Sequence, residues 1–336
     1  MNNQTSLLEF SHVPVMLNEV IKISSPSKGG TYIDCTFGGG GYSKQLLKFS
    51  KTIVKGLDRD NKVKEIGKEL EKKFPQRFKF YQTTFSKLEI VAENHVDVII
   101  FDLGLSSIQL NNLERGFSFK SNKNLDMSMG LNKISAQDVI NNLSELELKL
   151  IIKIFGEENE AARIAKNIVK FRNKKKIVKV KDLVEIIEKS KKKNYSSKIN
   201  PSTKTFQALR IFVNKEITEL INGIVNATKI LKPGGKILII SFHSIEDRIV
   251  KYFFSNFSTN KSKPSRYLPE KDESSTALFE EYKNKILKPT KKEIDKNSRS
   301  RSAKLRYAIR SKNKFSHPSE LIKKFKRYLD LEAINV

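Results

Sequence analysis

The chain has 336 residues and carries 64 Lys and Arg against 37 Asp and Glu, a formal net charge of +27 at pH 7. One cysteine excludes a disulfide framework and cysteine-rich zinc modules, and the four histidines lack paired ligand spacing, so we expect no metal. The charge favours a polyanionic partner, above all nucleic acid, although an AT-rich genome that overuses lysine would give a similar composition.

No segment predicts a membrane span or an export signal. The most apolar runs, residues 96–101 and 237–242, are too short to cross a bilayer, and the first residues are polar. We therefore expect a cytoplasmic protein without a membrane partner.

Residues 30–105 predict strands that alternate with helices. The expected strands are residues 31–36, 52–57, 78–83 and 96–101, and the expected helices are residues 43–49, 62–73 and 86–93. This alternation predicts a parallel, doubly wound α/β sheet.

The pattern changes after residue 105. Residues 106–133 predict a loop, and residues 135–193 predict helices. The α/β pattern then returns with a helix at 206–231, a strand at 236–242, a helix at 246–257, a long loop at 258–280, strands at 285–288 and 305–309, and at most a basic amphipathic helix from residue 317.

We therefore predict one α/β sheet interrupted by an all-helical insertion. The expected parts are residues 1–110 and 204–312 for the sheet domain, 111–203 for the insertion and 313–336 for a basic tail. Residues 170–198 contain twelve basic and three acidic residues, and residues 261–310 contain fifteen and seven. Each segment is either a solvated face or a surface that contacts phosphates.

A glycine loop, Gly38–Gly41, joins the first predicted strand to the first helix. Glycines let a backbone approach a ligand closely, and Asp58, 20 residues after Gly38, stands where a carboxylate holds ribose hydroxyls in nucleoside-binding α/β folds. The dinucleotide pattern fails because Ser43 or Lys44 stands at the third glycine position, and the P-loop pattern fails because no Gly-Lys-Ser/Thr follows. The loop thus favours S-adenosylmethionine, and the alternative is a tight turn without a ligand.

Asp102 ends the fourth predicted strand. The carboxyl ends of the strands form the ligand crevice of an open parallel sheet, so we expect Asp102 in that crevice. The alternative is an aspartate that only caps a helix or makes a turn.

Eight motifs together resemble one family. They are residues 12–17 (HVPVML), the glycine loop, 102–110, 114–119 (ERGFSF), 125–127 (LDM), 205–214 (TFQALRIFVN), 241–248 (SFHSIEDR) and 299–306 (RSRSAKLR). This set resembles the bacterial ribosomal RNA small subunit methyltransferase H family across residues 11–310. The resemblance implies a Rossmann-like methyltransferase fold with a helical insertion, and transfer of a methyl group from S-adenosylmethionine to N4 of a cytidine in the decoding centre of 16S rRNA, near the P-site codon.

The resemblance also implies a cofactor site and a partner. The implied cofactor residues are Gly40, Gly41, Tyr42, Asp58, Phe85, Asp102 and Gln109; the family commonly has His where Tyr42 stands. The implied partner is 16S rRNA within the small ribosomal subunit, rather than DNA. The sequence leaves open whether the protein is a monomer or a homodimer.

A cytosine amine is a poor nucleophile, so the enzyme must align N4 and accept a proton. The candidates are Asp102, Ser106, Ser107 and His12, with His243 as a further candidate base. The two prolines that follow the acid in many amino-methyltransferases are absent, so Asp102 serves either the cofactor or the amine. For each histidine a structural hydrogen bond is the alternative.

The target cytidine must leave its stack to reach such a site. Phe117 or Phe119 is expected to stack on the flipped base, or else to anchor its own loop in the core. The expected phosphate contacts are Arg115, Arg210, Arg248, Arg299, Arg301 and Arg306, with the insertion docking through residues 170–198. Two other classes stay open: a methyltransferase that acts on another nucleic acid or a protein, and a basic assembly factor without catalysis.

Overall fold

The computed structural model describes residues 14–92, 95–132, 134–191, 200–260 and 277–336. Its centre is a six-stranded sheet of order β3-β2-β1-β4-β5-β6, in which only β5 and β6 are antiparallel. The strands are β1 (Gly30–Asp34), β2 (Thr52–Asp58), β3 (Phe78–Gln82), β4 (Val96–Asp102), β5 (Leu231–Ser241) and β6 (Lys304–Ile309). The predicted doubly wound sheet is confirmed.

The helices cover both faces of this sheet. They are α1 (Leu17–Ser24), α2 (Gly41–Leu46), α3 (Lys64–Lys73), α4 (Ser107–Asn111), α5 (Ala136–Asn142), α6 (Glu145–Phe155), α7 (Ala161–Arg172), α8 (Val180–Ser190), α9 (Thr203–Asn214), α10 (Glu216–Ile230), α11 (Ser244–Asn256), α12 (Lys291–Lys296) and α13 (Ser319–Glu332). Helices α4 to α10 lie between β4 and β5 in sequence, yet these two strands pair directly.

The central strand β4 is buried on both faces, which explains its unbroken apolar sequence. Alternate side chains point to opposite faces, so Ile99 and Phe101 join the apolar cluster that contains α5 to α11, whereas Val98 and Ile100 join the cluster that contains α1 to α3. The first cluster also includes Ile151 of α6, so the insertion shares one continuous core with the sheet.

Four sequence predictions differ from the structure. The helix predicted at 86–93 is a short 3₁₀-helix, Phe85–Ile90. The single helix predicted at 206–231 is two helices, because Lys215 between α9 and α10 is left-handed (φ 49°). The loop predicted at 106–133 contains α4, and the strand predicted at 285–288 pairs only through one bridge between Leu287 and Leu305.

The predicted basic tail forms α13, which packs against α6, α10 and α11 with Leu321 and Phe325 buried. Its Glu332 carboxylate accepts hydrogen bonds from Ile217 N (2.9 Å) and Thr218 N (2.7 Å), in the first turn of α10. Two of the donors that a helix N-terminus leaves without partners are thereby satisfied. Across the described residues, no helix combines the length and apolarity that spanning a membrane demands.

Candidate active site

Three aspartates end neighbouring strands at the carboxyl edge of the sheet: Asp34 on β1, Asp58 on β2 and Asp102 on β4. The chain reverses its direction of winding between β1 and β4, and a doubly wound sheet opens a ligand crevice at that point. The crevice is therefore lined by carboxylates from both sides of the switch point.

The glycine loop is fastened to two of these aspartates. Asp58 accepts hydrogen bonds from Gly38 N at 2.8 Å and Asp60 N at 2.9 Å, and Asp34 accepts one from the Ser43 hydroxyl at 2.8 Å. Each Asp58 oxygen holds one backbone N–H and keeps a further lone pair for a ligand hydroxyl.

The loop also leaves room beside its backbone. Gly38 and Gly40 have φ of 50° and 73°, which favour glycine, whereas a Cβ built on Gly39 would meet nothing within 4 Å. This open space is where a ligand can approach the main chain.

Burial raises the pKa of all three aspartates. The pKa rises to about 6 for Asp34 and for Asp58, where hydrogen bonds to the carboxylates limit the rise. For Asp102 it rises to about 8, because burial and then the charge of Asp34 outweigh the hydrogen bond from Tyr42. Oδ1 of Asp102 is buried without a hydrogen-bond partner in the described part of the chain.

These groups fit S-adenosylmethionine. The unpartnered Oδ1 of Asp102 can accept a hydrogen bond or face a positive charge, Asp58 can hold hydroxyls, and the space beside Gly39 admits a ligand. The Tyr42 hydroxyl donates to Val15 O and lies 3.3 Å from Oδ2 of Asp102, so its side chain lies beside the crevice.

An aromatic cavity of about 170 Å³ opens beyond the ends of β4 and β5. It is lined by Leu105, Phe117, Phe119, Met127, Thr203, Phe206, Gln207, Arg210, Phe242 and His243. Ligand pockets for whole small molecules span roughly 300–1,000 Å³, so this volume suits one planar ring rather than a complete nucleotide.

The polar end of the cavity is a charged network. Arg210 donates from Nε and Nη2 to both oxygens of Glu216, at 2.9 and 3.0 Å. Burial raises the pKa of Glu246, but His243 and Arg210 together hold it below its usual value. Nε2 of His243 is buried without a hydrogen-bond partner among the described residues, although Oε1 of Glu246 lies 3.1 Å away.

Glu216, His243 and Glu246 place their ligand atoms within 4.8 Å of one another, a grouping the sequence did not indicate and one that could hold a cation. Arg210 already supplies the positive charge at Glu216. The chemistry of these residues is therefore met by a guanidinium, and we assign no metal to them.

A second buried network supports the crevice from below. Oδ2 of Asp60 accepts from Nε2 of Gln109 at 3.0 Å and from the Arg115 guanidinium, whose Nη2 also donates to Ser128 O at 2.8 Å. Burial raises the pKa of Asp60, but these hydrogen bonds leave it below its usual value. The Arg115 guanidinium is thus buried and already paired, which argues against the phosphate contact predicted for it.

Of the remaining cofactor and catalytic candidates, the structure describes the side chains of Phe85 and Ser106. Phe85 packs edge-on against Phe101 at 5.5 Å and touches Gly223 of α10. Ser106 accepts a hydrogen bond from Gln109 N at 3.2 Å, and its Cβ would lie 3.6 Å from one built on Gly38, beside the glycine loop. His12 and the side chain of Ser107 lie outside the described part of the chain.

The predicted RNA-contacting residues also separate by burial. Arg248, Arg299 and Arg301 are exposed, and Arg299 donates to Oδ1 of Asn111 at 2.9 Å. Arg306 is 2% exposed and donates from Nε to Asp247 at 2.7 Å, so it has no surface to offer a phosphate and that prediction is wrong. Phe117 is buried and Phe119 half-buried, both on the aromatic cavity.

Sequence reasoning missed Asp34, Asp60 and Glu246 as site residues. Asp34 and Asp60 each stand beside a feature that was noticed, the glycine loop and Asp58 respectively. Glu246 lies three residues after His243 in a capping pattern, which is the signal that could have identified it.

The sheet order, the glycine loop and the edge carboxylates define a Rossmann-like methyltransferase. The chain belongs to the MraW methylase family, whose model matches residues 9–311. It is similar to ribosomal RNA small subunit methyltransferase H from Bartonella bacilliformis, 44% identical over 300 residues, with 89% of this chain and 90% of the relative covered. The namesake from Rickettsia africae is 43% identical over 302 residues, with 89% and 97% covered. The protein is a methyltransferase, its cofactor is S-adenosylmethionine, and the predicted family is confirmed.

Proposed function

We propose that this protein methylates N4 of a cytidine in the decoding centre of 16S rRNA, on the small ribosomal subunit. The relatives named above are small-subunit rRNA methyltransferases, and a net charge of +27 suits an RNA substrate. The observation that carries the proposal is the aromatic cavity beyond Asp102, because a cavity for one planar ring is what a base methyltransferase needs.

The cavity is built to receive a base that has left its stack. Phe119 is half-buried on its wall and packs edge-on against Phe206, with ring centroids 6.4 Å apart, so its ring is held in place before RNA arrives. Base–aromatic stacking contributes about 1–3 kcal/mol per base. Arg210 and His243 give the cavity polar groups for the edge of the ring. Phe117 is more deeply buried and mainly supports this wall.

Different residues contact different parts of S-adenosylmethionine. The loop at Gly39, Gly40 and Gly41 faces the methionine end, and Asp58 takes the ribose hydroxyls. Tyr42 fixes the position of Asp102. Gln109 supports the crevice through Asp60 and does not offer its own amide.

When bound, S-adenosylmethionine supplies an electrophilic methyl group, and its sulfur keeps the electron pair of the broken C–S bond. As N4 forms its new bond to carbon, it must release a proton. Oδ1 of Asp102 is the acceptor, because it is buried, unpartnered among the described residues and at the end of β4. Because the pKa of Asp102 is about 8, only its ionised form can accept the N4 proton, and the share of that form rises as the pH approaches 8.

The test is methyl transfer from labelled S-adenosylmethionine to unmethylated small subunits, with the product nucleoside identified by mass spectrometry. We expect N4-methylcytidine in the decoding centre, loss of transfer in Asp102→Asn, and full activity in the exposed control Asp295→Asn. Methylation of a different nucleoside, or cofactor binding without any transfer to subunits, contradicts the proposal.

A further inference from the structure

A groove of about 470 Å³ lies between the end of α6, helix α11 and helix α13. Its charged lining residues are Lys153, Glu157, Glu158, Arg248, Lys324 and Arg327. The groove is separate from the aromatic cavity and shares no lining residue with it.

The groove carries excess positive charge. Its two acids are already paired: Glu158 with Lys191 at 2.6 Å, and Glu157 with Arg248 at 2.8 Å. Lys153, Lys324 and Arg327 are exposed and make no ion pair within the described ranges. Three cations in one concavity attract a polyanion and favour phosphate as the ligand.

Helix α11 runs from the aromatic cavity to the groove. His243 lines the cavity, and Ser244, the next residue, donates its hydroxyl to Glu157, which also binds Arg248. Arg248 stands four residues, ~6 Å along the helix axis, beyond Ser244. An RNA strand whose base enters the cavity therefore has its neighbouring phosphates within reach of the groove.

The floor of the groove is set before RNA binds. The Tyr328 ring stacks on Phe155 and on Phe325, each with centroids 6.1 Å apart. Its hydroxyl accepts from Nη1 of Arg248 at 2.8 Å, so Arg248 is held by two partners. A guanidinium fixed in advance loses less side-chain entropy when it binds a phosphate.

We propose that this groove binds the phosphates that flank the target cytidine. The proposal rests on the proposed function and adds to it the path of the substrate strand. One wall of the groove is α13, which lies beyond residues 9–311 matched by the family model. The recognition surface thus includes a helix from outside the matched segment.

The experiment compares two double variants on the same helix. Lys324→Ala with Arg327→Ala removes two groove cations, and Lys323→Ala with Lys326→Ala removes two cations that pair with Glu320 and Asp330 on α13 itself. Both variants have the same net charge. The readouts are the Kd for unmethylated small subunits without cofactor, across a salt series, and the KM and kcat for methyl transfer.

We expect the groove variant to lower the salt slope of log Kd by about 1.4 and to raise Kd and KM roughly 10- to 30-fold at 0.1 M salt, from ~0.7 per lost single-strand phosphate contact. Its kcat and its affinity for S-adenosylmethionine should stay unchanged, and the control should match the wild type. Equal salt slopes for the two variants, or a loss confined to kcat, would refute the proposal that the groove binds phosphates. Wild-type binding without transfer would instead refute the proposed function and leave the groove standing.

Discussion

The buried carboxyl of Asp102 should lower the stability of the protein at neutral pH, and replacing it should raise that stability. Its Oδ1 is buried without a partner among the described residues, and burial next to Asp34 raises its pKa from 3.8 to about 8. Between these two values the native carboxyl keeps a proton that the unfolded chain has released, so native stability falls as pH rises. Asparagine carries no charge at any pH and avoids this loss.

The magnitude follows from the two pKa values. Each pH unit within the window lowers stability by about 1.4 kcal/mol, so at pH 7 the wild type has lost at most about 4 kcal/mol that Asp102→Asn retains. At roughly 2 °C per kcal/mol for a chain of this size, the variant should melt up to about 8 °C higher at pH 7. The difference in melting temperature between the variant and the wild type should close near pH 4 and stop growing above about pH 8.

Thermal unfolding of both proteins from pH 4 to pH 9, without cofactor, measures this gap. Asp295→Asn, an exposed control on α12, should follow the wild type throughout. Methyl transfer in Asp102→Asn should be lost at every pH. A gap that is constant with pH, or a variant less stable than the wild type at pH 8, would refute the assigned burial and charge of Asp102.

Four further outcomes follow from side chains described above. Gly39→Ala should keep its melting temperature but weaken S-adenosylmethionine binding at least tenfold by calorimetry, because its Cβ enters only the ligand space; normal affinity would remove the loop from the cofactor site. Phe119→Ala should lower kcat/KM for subunits by about 5- to 150-fold, the equivalent of ~1–3 kcal/mol of stacking, at unchanged cofactor affinity, and an unchanged kcat/KM would exclude stacking on this ring. Arg306→Ala should cost about 1–3 kcal/mol in urea unfolding because Oδ1 of Asp247 and the Tyr282 hydroxyl lose their buried donor while Lys304 still pairs with Asp247, whereas the exposed Arg301→Ala should cost nothing measurable; equal effects would contradict the burial of Arg306. Glu332→Ala should cost about 1–3 kcal/mol in the same assay by leaving donors of α10 without acceptors, and a neutral result would show that water replaces the carboxylate.

The sheet could be predicted from sequence because its signals are local. Strand β4 is an apolar run long enough for a strand and too short for a helix, and the glycine loop marks the turn out of β1. The aspartates that end β1, β2 and β4 then meet at one edge by topology alone. The crevice was therefore predictable as soon as the strand order was.

The break between α9 and α10 gives no such local signal. Lys215 is an ordinary helix former, and its left-handed backbone is set by tertiary contacts. The Asn214 amide accepts from Met129 N at 2.8 Å and donates to Met127 O at 2.8 Å, which ends α9 against a loop 85 residues earlier. Bonds over that separation have no periodic trace in the sequence.

The arginines illustrate the same limit for the site. Arg301 and Arg306 look alike in the sequence, yet one is exposed and the other is buried against Asp247, 59 residues away. Arg115 is likewise paired with Asp60 across 55 residues. A basic motif predicts positive charge near a site, but only the partner decides whether that charge is available to a phosphate.

The placement of β4 between β1 and β5 determines how long one edge of β4 stays unpaired during synthesis. Strand β4 ends at residue 102 and its neighbour β5 begins at residue 231, so the ribosome must add about 130 residues before β4 is covered on that side. At about 5–20 residues per second this takes roughly 6–26 s. During that interval an apolar strand edge is open to other nascent chains, while the insertion helices fold from local contacts. Slower translation of the insertion lengthens this exposure, so overexpression at low temperature should depend on chaperones that shield strand edges.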